Sequence, residues 1–152
     1  MSNPADLPYE VTLEVRDGCL CLHAQRAARL LARRFDAAFR PLGLTNGQFS
    51  LLMSLNRPEP PTLGAVSALL GMDRTTLTAA LKPLERRGLV AVGPGGPDRR
   101  SRGLRLTDAG RALLAAAVPI WRAEHAQLDA MLGAEGDAGL AARLGRLTAL
   151  LA

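Results

Sequence analysis

With 152 residues, the chain is long enough for one domain with a real core and too short for two full domains. Its 48% hydrophobic and 22% charged residues exclude a disordered chain, and because only 3% are aromatic, the core must be built from Leu, Ala and Val. The net charge of +5 and the isoelectric point near 10.5 favour a polyanionic partner.

The sequence predicts neither a membrane span nor an export signal. It has no run of about 18 apolar residues, and its first residues lack a charged stretch followed by an apolar one, so neither a membrane span nor a signal peptide is expected. Cys19 and Cys21 stand one residue apart and would point about 200° apart on a helix, which disfavours a disulfide between them. We therefore expect a protein of a reducing cytoplasm, without a disulfide framework.

The positive charge is concentrated in two parts of the sequence. Residues 18–44 contain five arginines and one aspartate, and residues 73–106 contain eight basic and three acidic residues. The second segment thus carries a net charge of +5 over 34 residues. A basic segment this short is a candidate contact surface for a polyanion such as nucleic acid.

Apolar spacing and capping residues predict three helices in the first half of the chain. Apolar residues recur at helical spacing over about 19–41. Thr45, with Gln48 three residues later, has the spacing of a capping box and begins a second helix. The proline-rich segment 56–61 ends that helix, and a short third helix follows over 63–70.

A fourth helix is predicted from Asp73, which can cap it, to about Arg87. Helical geometry places three residues on its core face: Leu77, Leu81 and Leu84. Four residues fall on the opposite face: Thr75, Ala79, Lys82 and Arg86. Pro83 lies inside the helix and is expected to bend it or weaken one hydrogen bond.

A β-hairpin and two more helices are predicted in the second half. Strands are expected at 89–92 and 104–106, with a turn of glycines and prolines at 93–97. A long helix is expected over about 107–132, and after a break a last helix over about 140–151.

These elements predict a mainly α fold with a small β-hairpin, in one domain over residues 1–152. A short helix, a turn and a second helix followed by a basic hairpin form a winged helix-turn-helix, at about 45–106. The helices at about 19–44 and 107–152 remain for a helical dimerisation region, because a chain this size cannot bury all their apolar residues itself. Trp121 is expected in the core or in this interface. The apolar residues of the last two helices are Leu113, Leu114, Val118, Ile120, Leu128, Met131, Leu132, Leu140, Leu144, Leu147, Leu150 and Leu151.

The fourth helix and the hairpin carry the candidate nucleic-acid contacts. Recognition helices read bases with their N-terminal residues, and Thr and Arg suit base edges, thymine methyl groups and phosphate. The candidates on the helix are Arg74, Thr75, Thr76, Thr78 and Lys82. The candidates on the hairpin are Asp98, Arg99, Arg100 and Arg102, with Arg105 nearby. Asp98 is placed to hold the Arg100 guanidinium, and an arginine tip of this kind suits a narrow minor groove. A solvated charged face is the alternative interpretation.

The chain closely resembles the MarR family of multiple antibiotic resistance regulators in the stretches AARLLARRFDAAFRPLGLTNGQFSLL, GMDRTTLTAALKPLERRGLV and GGPDRRSRGLRLTDAGRALL. The similarity covers roughly residues 19–150, and D-x-R at Asp98–Arg100 followed by L-x-L-T at Leu104–Thr107 resembles the wing signature of that family. The resemblance implies obligate homodimers, joined through the first and last two helices, that bind a near-palindromic operator, usually as repressors. It also implies release of the DNA by small aromatic acids or oxidants.

The resemblance leaves the trigger of release open. It implies a ligand pocket between the dimer helices and the winged part, and candidate lining residues are His23, Arg26, Asn46, Gln48 and Met53. Cys19, followed by Cys21, is similar to the reactive cysteine of the family's organic-hydroperoxide sensors, but Phe35 and Asn46 stand where those sensors have tyrosines. Packing as a small hydrophobe is therefore the preferred interpretation of both cysteines. A metal pair of Cys19 and His23 lacks further ligands, so no metal or other cofactor is expected.

The sequence thus predicts a homodimeric regulator that binds double-stranded DNA at specific sites and represses until a small ligand, such as an aromatic one, releases it. One alternative is a thiol-based oxidant-sensing repressor that uses Cys19. Another is a winged-helix protein-interaction module, which would show apolar residues where this chain has Thr75, Ala79 and Lys82. An enzyme is not expected, because the chain has two histidines and no nucleophile or phosphate-binding motif.

Overall fold

The computed structural model describes residues 7–94, 102–133 and 136–151. The described residues are mostly helical, with one antiparallel β-hairpin, which confirms the predicted fold class. The elements are α1 (Tyr9–Gly18), α2 (Leu20–Phe39), a 3₁₀ turn (Arg40–Leu42), α3 (Asn46–Ser54), α4 (Leu63–Leu70), α5 (Arg74–Arg86), β1 (Val90–Pro94), β2 (Arg102–Leu106), α6 (Asp108–Leu132) and α7 (Gly136–Leu151).

Polar capping residues begin four of these helices, as their positions in the sequence predict. Each cap accepts a hydrogen bond from a backbone N–H three residues on, which would otherwise lack a partner. The caps are Thr45, Thr62, Asp73 and Thr107. At α3 the Gln48 side chain also accepts from the Thr45 backbone N–H, so the capping box is complete.

Several boundaries differ from the prediction, among them the start of β2, which is Arg102 and not 104. Helix α1 was not expected, because its N-cap is Pro8, which gives no side-chain hydrogen bond, and no sustained apolar stripe marks it. Strand β1 continues through Gly93 and Pro94, which were assigned to the turn, while 95–97 lie outside the described residues. Helix α7 begins at Gly136, four residues before the predicted start. The prediction missed this start because glycine disfavours a helix, although Asp137 in the first turn favours one.

The hairpin is fixed to the helical part through one strand. Val90 pairs with Leu106 and Val92 with Leu104. On the other side of β2, the Leu104 backbone N–H donates to the Pro61 carbonyl oxygen at 3.1 Å. Leu104 and Leu106 are buried and Arg105 between them is exposed, so one face packs on the core and the other faces solvent.

The core lies between α2 and α6 and belongs mainly to the winged helix-turn-helix. Its most completely buried side chains are Phe39, Leu52, Val66, Leu77, Leu84 and Leu104. Three phenylalanines pack in series: the ring centroids of Phe35 and Phe39 are 5.9 Å apart, and those of Phe39 and Phe49 are 4.7 Å apart. Helix α5 continues through Pro83 to Arg86 and buries its three leucines here. No residue of α1 or α7 is in this core.

Gly110 in the first turn of α6 sits where a side chain does not fit. A Cβ there would lie 2.1 Å from the Leu89 carbonyl oxygen, a backbone atom that cannot move alone. Gly110→Ala is therefore expected to lower the free energy of unfolding by about 1–3 kcal/mol in urea denaturation. The control is Gly145→Ala, where the added Cβ meets nothing within 4 Å. There alanine should leave stability unchanged or raise it by up to about 1 kcal/mol, and equal effects at both sites would contradict the account.

Candidate nucleic-acid interface

The turn between α4 and α5 sets the direction of α5. Gly71 ends α4 in the left-handed conformation, with φ +62°, and its N–H donates to carbonyl oxygens of α4. The Ser67 hydroxyl donates to the Met72 carbonyl oxygen, which fixes the turn. Asp73 then caps α5 one residue later. The two helices and this three-residue turn form a helix-turn-helix.

Helix α5 divides into a core face and a solvent face as the sequence predicts. Leu77, Leu81 and Leu84 are buried. The five candidate contact residues on this helix are all exposed: Arg74, Thr75, Thr76, Thr78 and Lys82. Among them the Thr78 hydroxyl donates to the Arg74 carbonyl oxygen at 2.7 Å, and the Thr76 hydroxyl donates to Asp73. Within the described residues, no hydrogen bond is donated by the side chains of Arg74, Thr75 and Lys82. These three side chains are therefore open to an outside partner.

The Asp73 carboxylate is held by Thr76 twice, through the hydroxyl at 2.6 Å and the backbone N–H at 2.8 Å. These bonds hold the pKa of Asp73 below its ordinary value of 3.8. Because the folded pKa is lowered, the capping contribution is complete at neutral pH and is lost as the pH falls below the ordinary value.

Removing the Thr76 hydroxyl should therefore raise the Asp73 pKa. In Thr76→Val the largest cause of the shift is gone, and an NMR titration should place the pKa closer to 3.8 than in the wild type. Thr78→Val is the control, since that hydroxyl donates to a carbonyl oxygen and not to the carboxylate. An unchanged Asp73 pKa in Thr76→Val would contradict this assignment.

Strand β1 follows α5 in the chain and contacts it, but only part of the predicted wing is described. Asp98, Arg99 and Arg100 lie outside the described residues. The Arg102 backbone is in β2, paired with Pro94. Arg105 is exposed. The contacts predicted for the wing therefore remain predictions from the sequence.

A cavity of about 590 Å³, here called the cleft cavity, lies between α3, α4 and α6. Of the five predicted ligand-lining residues, Met53 lines it. Its other lining residues are Phe49, Ser50, Ser54, Leu69, Leu70, Val118, Trp121 and Arg122. Trp121 is 38% exposed, so it is not a core residue of this chain. Arg122 could not be predicted from the sequence, because the cavity is assembled from three helices that are distant in the chain.

The other four predicted lining residues do not line the cleft cavity. The His23 ring nitrogen Nε2 lies 3.1 Å from the Asp17 carbonyl oxygen, and Arg26 is exposed on α2. The Asn46 backbone N–H donates to the Asp36 carboxylate at 2.7 Å, and the Gln48 side chain completes the α3 cap. These contacts hold His23, Asn46 and Gln48 at helix ends, outside the cleft cavity, and a ligand pocket that includes them stays a prediction.

The cysteines are not packed in a core. Cys19 is the N-cap of α2 and is half-buried, and its Sγ accepts from the Leu22 backbone N–H at 3.4 Å. Cys21 is exposed, with the Gln25 side-chain amide donating to its Sγ at 3.1 Å. The interpretation as buried small hydrophobes is therefore wrong for this chain. Across the described ranges, no three His, Cys, Asp or Glu side chains form a metal-binding group.

The terminal helices present an apolar face to solvent, here called the terminal face. Leu30 on α2 is 51% exposed, and Leu150 on α7 is 85% exposed. The large apolar residues of this face are Leu20, Leu22, Leu30, Leu31, Met131, Leu132, Leu140, Leu144, Leu150 and Leu151. Arg34 of α2 ties two of these helices together through Glu124 at 2.6 Å and Gln127 at 2.7 Å, both on α6. So many exposed large apolar side chains on the same three helices mark an interaction surface.

Comparison with known proteins identifies the family. A model of the MarR family matches residues 42–101, which include α3, α4, α5 and β1. The transcriptional repressor NicR of Pseudomonas putida is 32% identical over 126 residues, which are 80% of this chain and 74% of NicR. The chain belongs to the MarR family.

Two solved structures of transcriptional regulators have the same fold. MosR of Mycobacterium tuberculosis in complex with DNA has a TM-score of 0.74 and 37% identity, covering 88% of this chain and 96% of MosR. The repressor CouR bound to p-coumaroyl-CoA has a TM-score of 0.74 and 29% identity, covering 88% of this chain and 94% of CouR. The chain spans 51% of the length of one curated relative, a transcriptional activator, and 65% of another, a transcriptional repressor.

Within the described ranges, no helix combines the length and the apolar character that crossing a membrane requires.

Proposed function

We propose that this MarR-family chain is a sequence-specific DNA-binding transcriptional regulator that acts as a homodimer and represses. The observation that carries the proposal is the exposed polar face of α5, where the side chains of Arg74, Thr75 and Lys82 are open to a partner. A recognition helix of this kind enters the major groove with its N-terminal residues leading. The wing arginines Arg99, Arg100 and Arg102 would then contact the adjacent minor groove.

The terminal face supports the proposed homodimer. A monomer would leave the leucines of α2 and α7 in water, whereas a second copy of the same face would bury them. A two-fold dimer presents two α5 helices, and we propose that these read two half-sites about one helical turn apart, roughly 34–36 Å. The operator would accordingly be near-palindromic.

The experiment that tests DNA recognition is a titration of the protein with an operator duplex and with a duplex of scrambled sequence, at two salt concentrations. We expect tighter binding to the operator at both concentrations and a steep loss of affinity with salt. The alternative of a protein-interaction module predicts weak binding that does not distinguish the two duplexes.

For release from DNA we propose a small aromatic ligand in the cleft cavity. Trp121 offers an aromatic wall and Arg122 a positive charge, which suit the ring and the acid group of such a ligand. The cavity touches α4, which leads into α5, and α6, which leads to the terminal face. A ligand between them would change the spacing of the two recognition helices. CouR, which has this fold, binds p-coumaroyl-CoA, an aromatic acyl ligand.

The alternative trigger is oxidation of Cys19, which is half-buried and therefore reachable. Its thiolate would attack the O–O bond of an organic hydroperoxide, giving a sulfenic acid and releasing the alcohol. If this were the trigger, hydroperoxide would release the operator from the wild type and not from Cys19→Ser. We expect the operator complex of both proteins to survive hydroperoxide, because Phe35 and Asn46 supply no phenol. Rapid release from the wild type alone would favour the oxidant-sensing alternative.

A further inference from the structure

A small polar cavity of about 200 Å³ lies where the hairpin joins the helical part. We call it the wing-base pocket. Its lining comes from three parts of the chain: the loop after α3, the end of β2 and the first turn of α6. Each part contributes one arginine to the lining, and these are Arg57, Arg105 and Arg111. Cationic residues that are distant in the sequence therefore meet around one cavity.

The positive charge of the wing-base pocket is largely uncompensated. Within the described residues, the guanidinium groups of Arg57 and Arg105 have no hydrogen-bond or ion-pair partner, and both residues are exposed. Arg111 donates to the Asp108 carboxylate at 2.6 Å, but that carboxylate is 98% exposed, so water screens the pair. Glu59, the acidic residue of the loop after α3, is not part of the lining. Because like charges repel, the pocket would gain from a bound anion.

The backbone around the pocket is ordered without a ligand. The Arg57 backbone N–H donates to the Leu55 carbonyl oxygen at 2.9 Å, and Pro58 follows with its restricted φ. On the opposite side, the Leu104 backbone N–H donates to the Pro61 carbonyl oxygen at 3.1 Å, which holds β2 against the same loop. A pocket whose backbone is already ordered pays a smaller entropic cost on binding.

Three arginines and a small volume suit a phosphate group. A guanidinium donates paired hydrogen bonds to the oxygens of phosphate or carboxylate. A phosphate monoester has three terminal oxygens, enough to face three arginines at once, whereas a carboxylate has two. Arg111 donates to the Leu106 carbonyl oxygen and to Asp108, and keeps its remaining N–H groups for a ligand. The cavity is smaller than the roughly 300–1,000 Å³ of sites for drug-sized ligands, so it fits a compact anion.

The position of the pocket separates it from the proposed DNA surface. Among the described residues, no member of α5 lines it. Arg105 stands three residues after Arg102 on β2, which is roughly 10 Å further from the hairpin tip. A phosphate of the DNA backbone is therefore a poorer match for this pocket than an anion from solution.

We propose that the wing-base pocket binds a small phosphate-bearing anion from solution, held by Arg57, Arg105 and Arg111. The bound anion would link β2, the loop after α3 and the start of α6 through charge-assisted hydrogen bonds. Binding does not require DNA, so its test is independent of the proposed function.

The probe is inorganic phosphate, added to the full ¹⁵N-labelled chain without DNA at constant pH and ionic strength. Malonate, a compact dianion with planar carboxylates, is the matched control ligand. We expect saturable shifts of the backbone amide NMR signals of Arg57, Arg105 and Arg111, with malonate binding at least about fivefold weaker than phosphate. The amide signal of Arg33, an exposed arginine of α2, should not move.

Variants then locate the site and separate it from DNA binding. Arg57→Gln and Arg105→Gln each remove one charge and should weaken phosphate binding at least about fivefold. Neither side chain has a partner within the described residues, so the denaturation midpoint should stay at the wild-type value. Arg33→Gln removes the same charge elsewhere and should bind phosphate like the wild type. Arg57→Gln should also bind the operator and scrambled duplexes like the wild type.

Four results would overturn the proposal. Equal affinity for phosphate and malonate would show attraction by charge without recognition of the phosphate. Equal shifts at Arg33 and at the pocket would show non-specific association with exposed arginines. Loss of affinity for both duplexes in Arg57→Gln would assign the pocket to the DNA backbone. Absence of any saturable shift would show that the pocket binds no phosphate.

Discussion

Leu150→Glu combined with Leu151→Glu is expected to convert the dimer into a monomer that keeps its fold. These two side chains are 85% and 78% exposed in the single chain, so charges there cost the monomer little. In the dimer they would lie in the terminal face, where burying unpaired carboxylates costs about 3–5 kcal/mol. The dimer dissociation constant should accordingly rise at least about 100-fold. Sedimentation velocity at micromolar concentration measures this directly.

The matched control is Leu69→Glu, which places the same charge on a 57% exposed leucine of α4, away from the terminal face. It should remain a dimer. The double variant should also lose operator binding at concentrations where the wild type binds, because one α5 helix reads only one half-site. A variant that stays dimeric, or a wild-type monomer that binds the operator fully, would show that the terminal face is not the dimer interface.

Arg100→Ala and Lys82→Ala are expected to weaken DNA binding in different ways. Arg100 is predicted in the minor groove, and its loss should cost about 1–3 kcal/mol of operator affinity, roughly 5- to 150-fold. Lys82 lies on the exposed face of α5, and its loss should weaken operator and scrambled duplexes alike. The slope of log affinity against log salt should fall by about one for each subunit. Fluorescence anisotropy with both duplexes at several salt concentrations measures these quantities.

The control for lost charge is Arg33→Ala, an exposed arginine on α2. Its affinity and salt slope should stay close to those of the wild type. All variants should unfold at the same denaturant concentration as the wild type, since each side chain is at the surface or in the predicted wing. If Arg100→Ala and Lys82→Ala both bound like the wild type, the assigned DNA surface would be wrong.

The winged helix-turn-helix could be predicted from the sequence because each of its elements is marked locally. Four helix starts are indicated by N-cap residues, whose hydrogen bonds depend on a few neighbouring residues: Thr45, Thr62, Asp73 and Thr107. The three leucines of α5 reveal its buried face by spacing alone. Local sequence signals of this kind predict helix starts and buried faces directly.

The features that the sequence did not predict arise from non-local or weakly marked structure. Helix α1 begins after Pro8 without a polar cap, and α7 begins at a glycine. The cleft cavity is built by helices far apart in the chain, which is why Arg122 could not be predicted. His23 and Gln48 were predicted in a pocket, but helix-end hydrogen bonds hold them elsewhere.

The central claim is that two copies of this chain read DNA by sequence. Selection of bound duplexes from a random-sequence library, followed by sequencing, tests it most directly. The account predicts one enriched motif with two-fold symmetry, its half-site centres about 10 base pairs apart. Failure to enrich any motif, or enrichment of a single unsymmetric half-site, would contradict it.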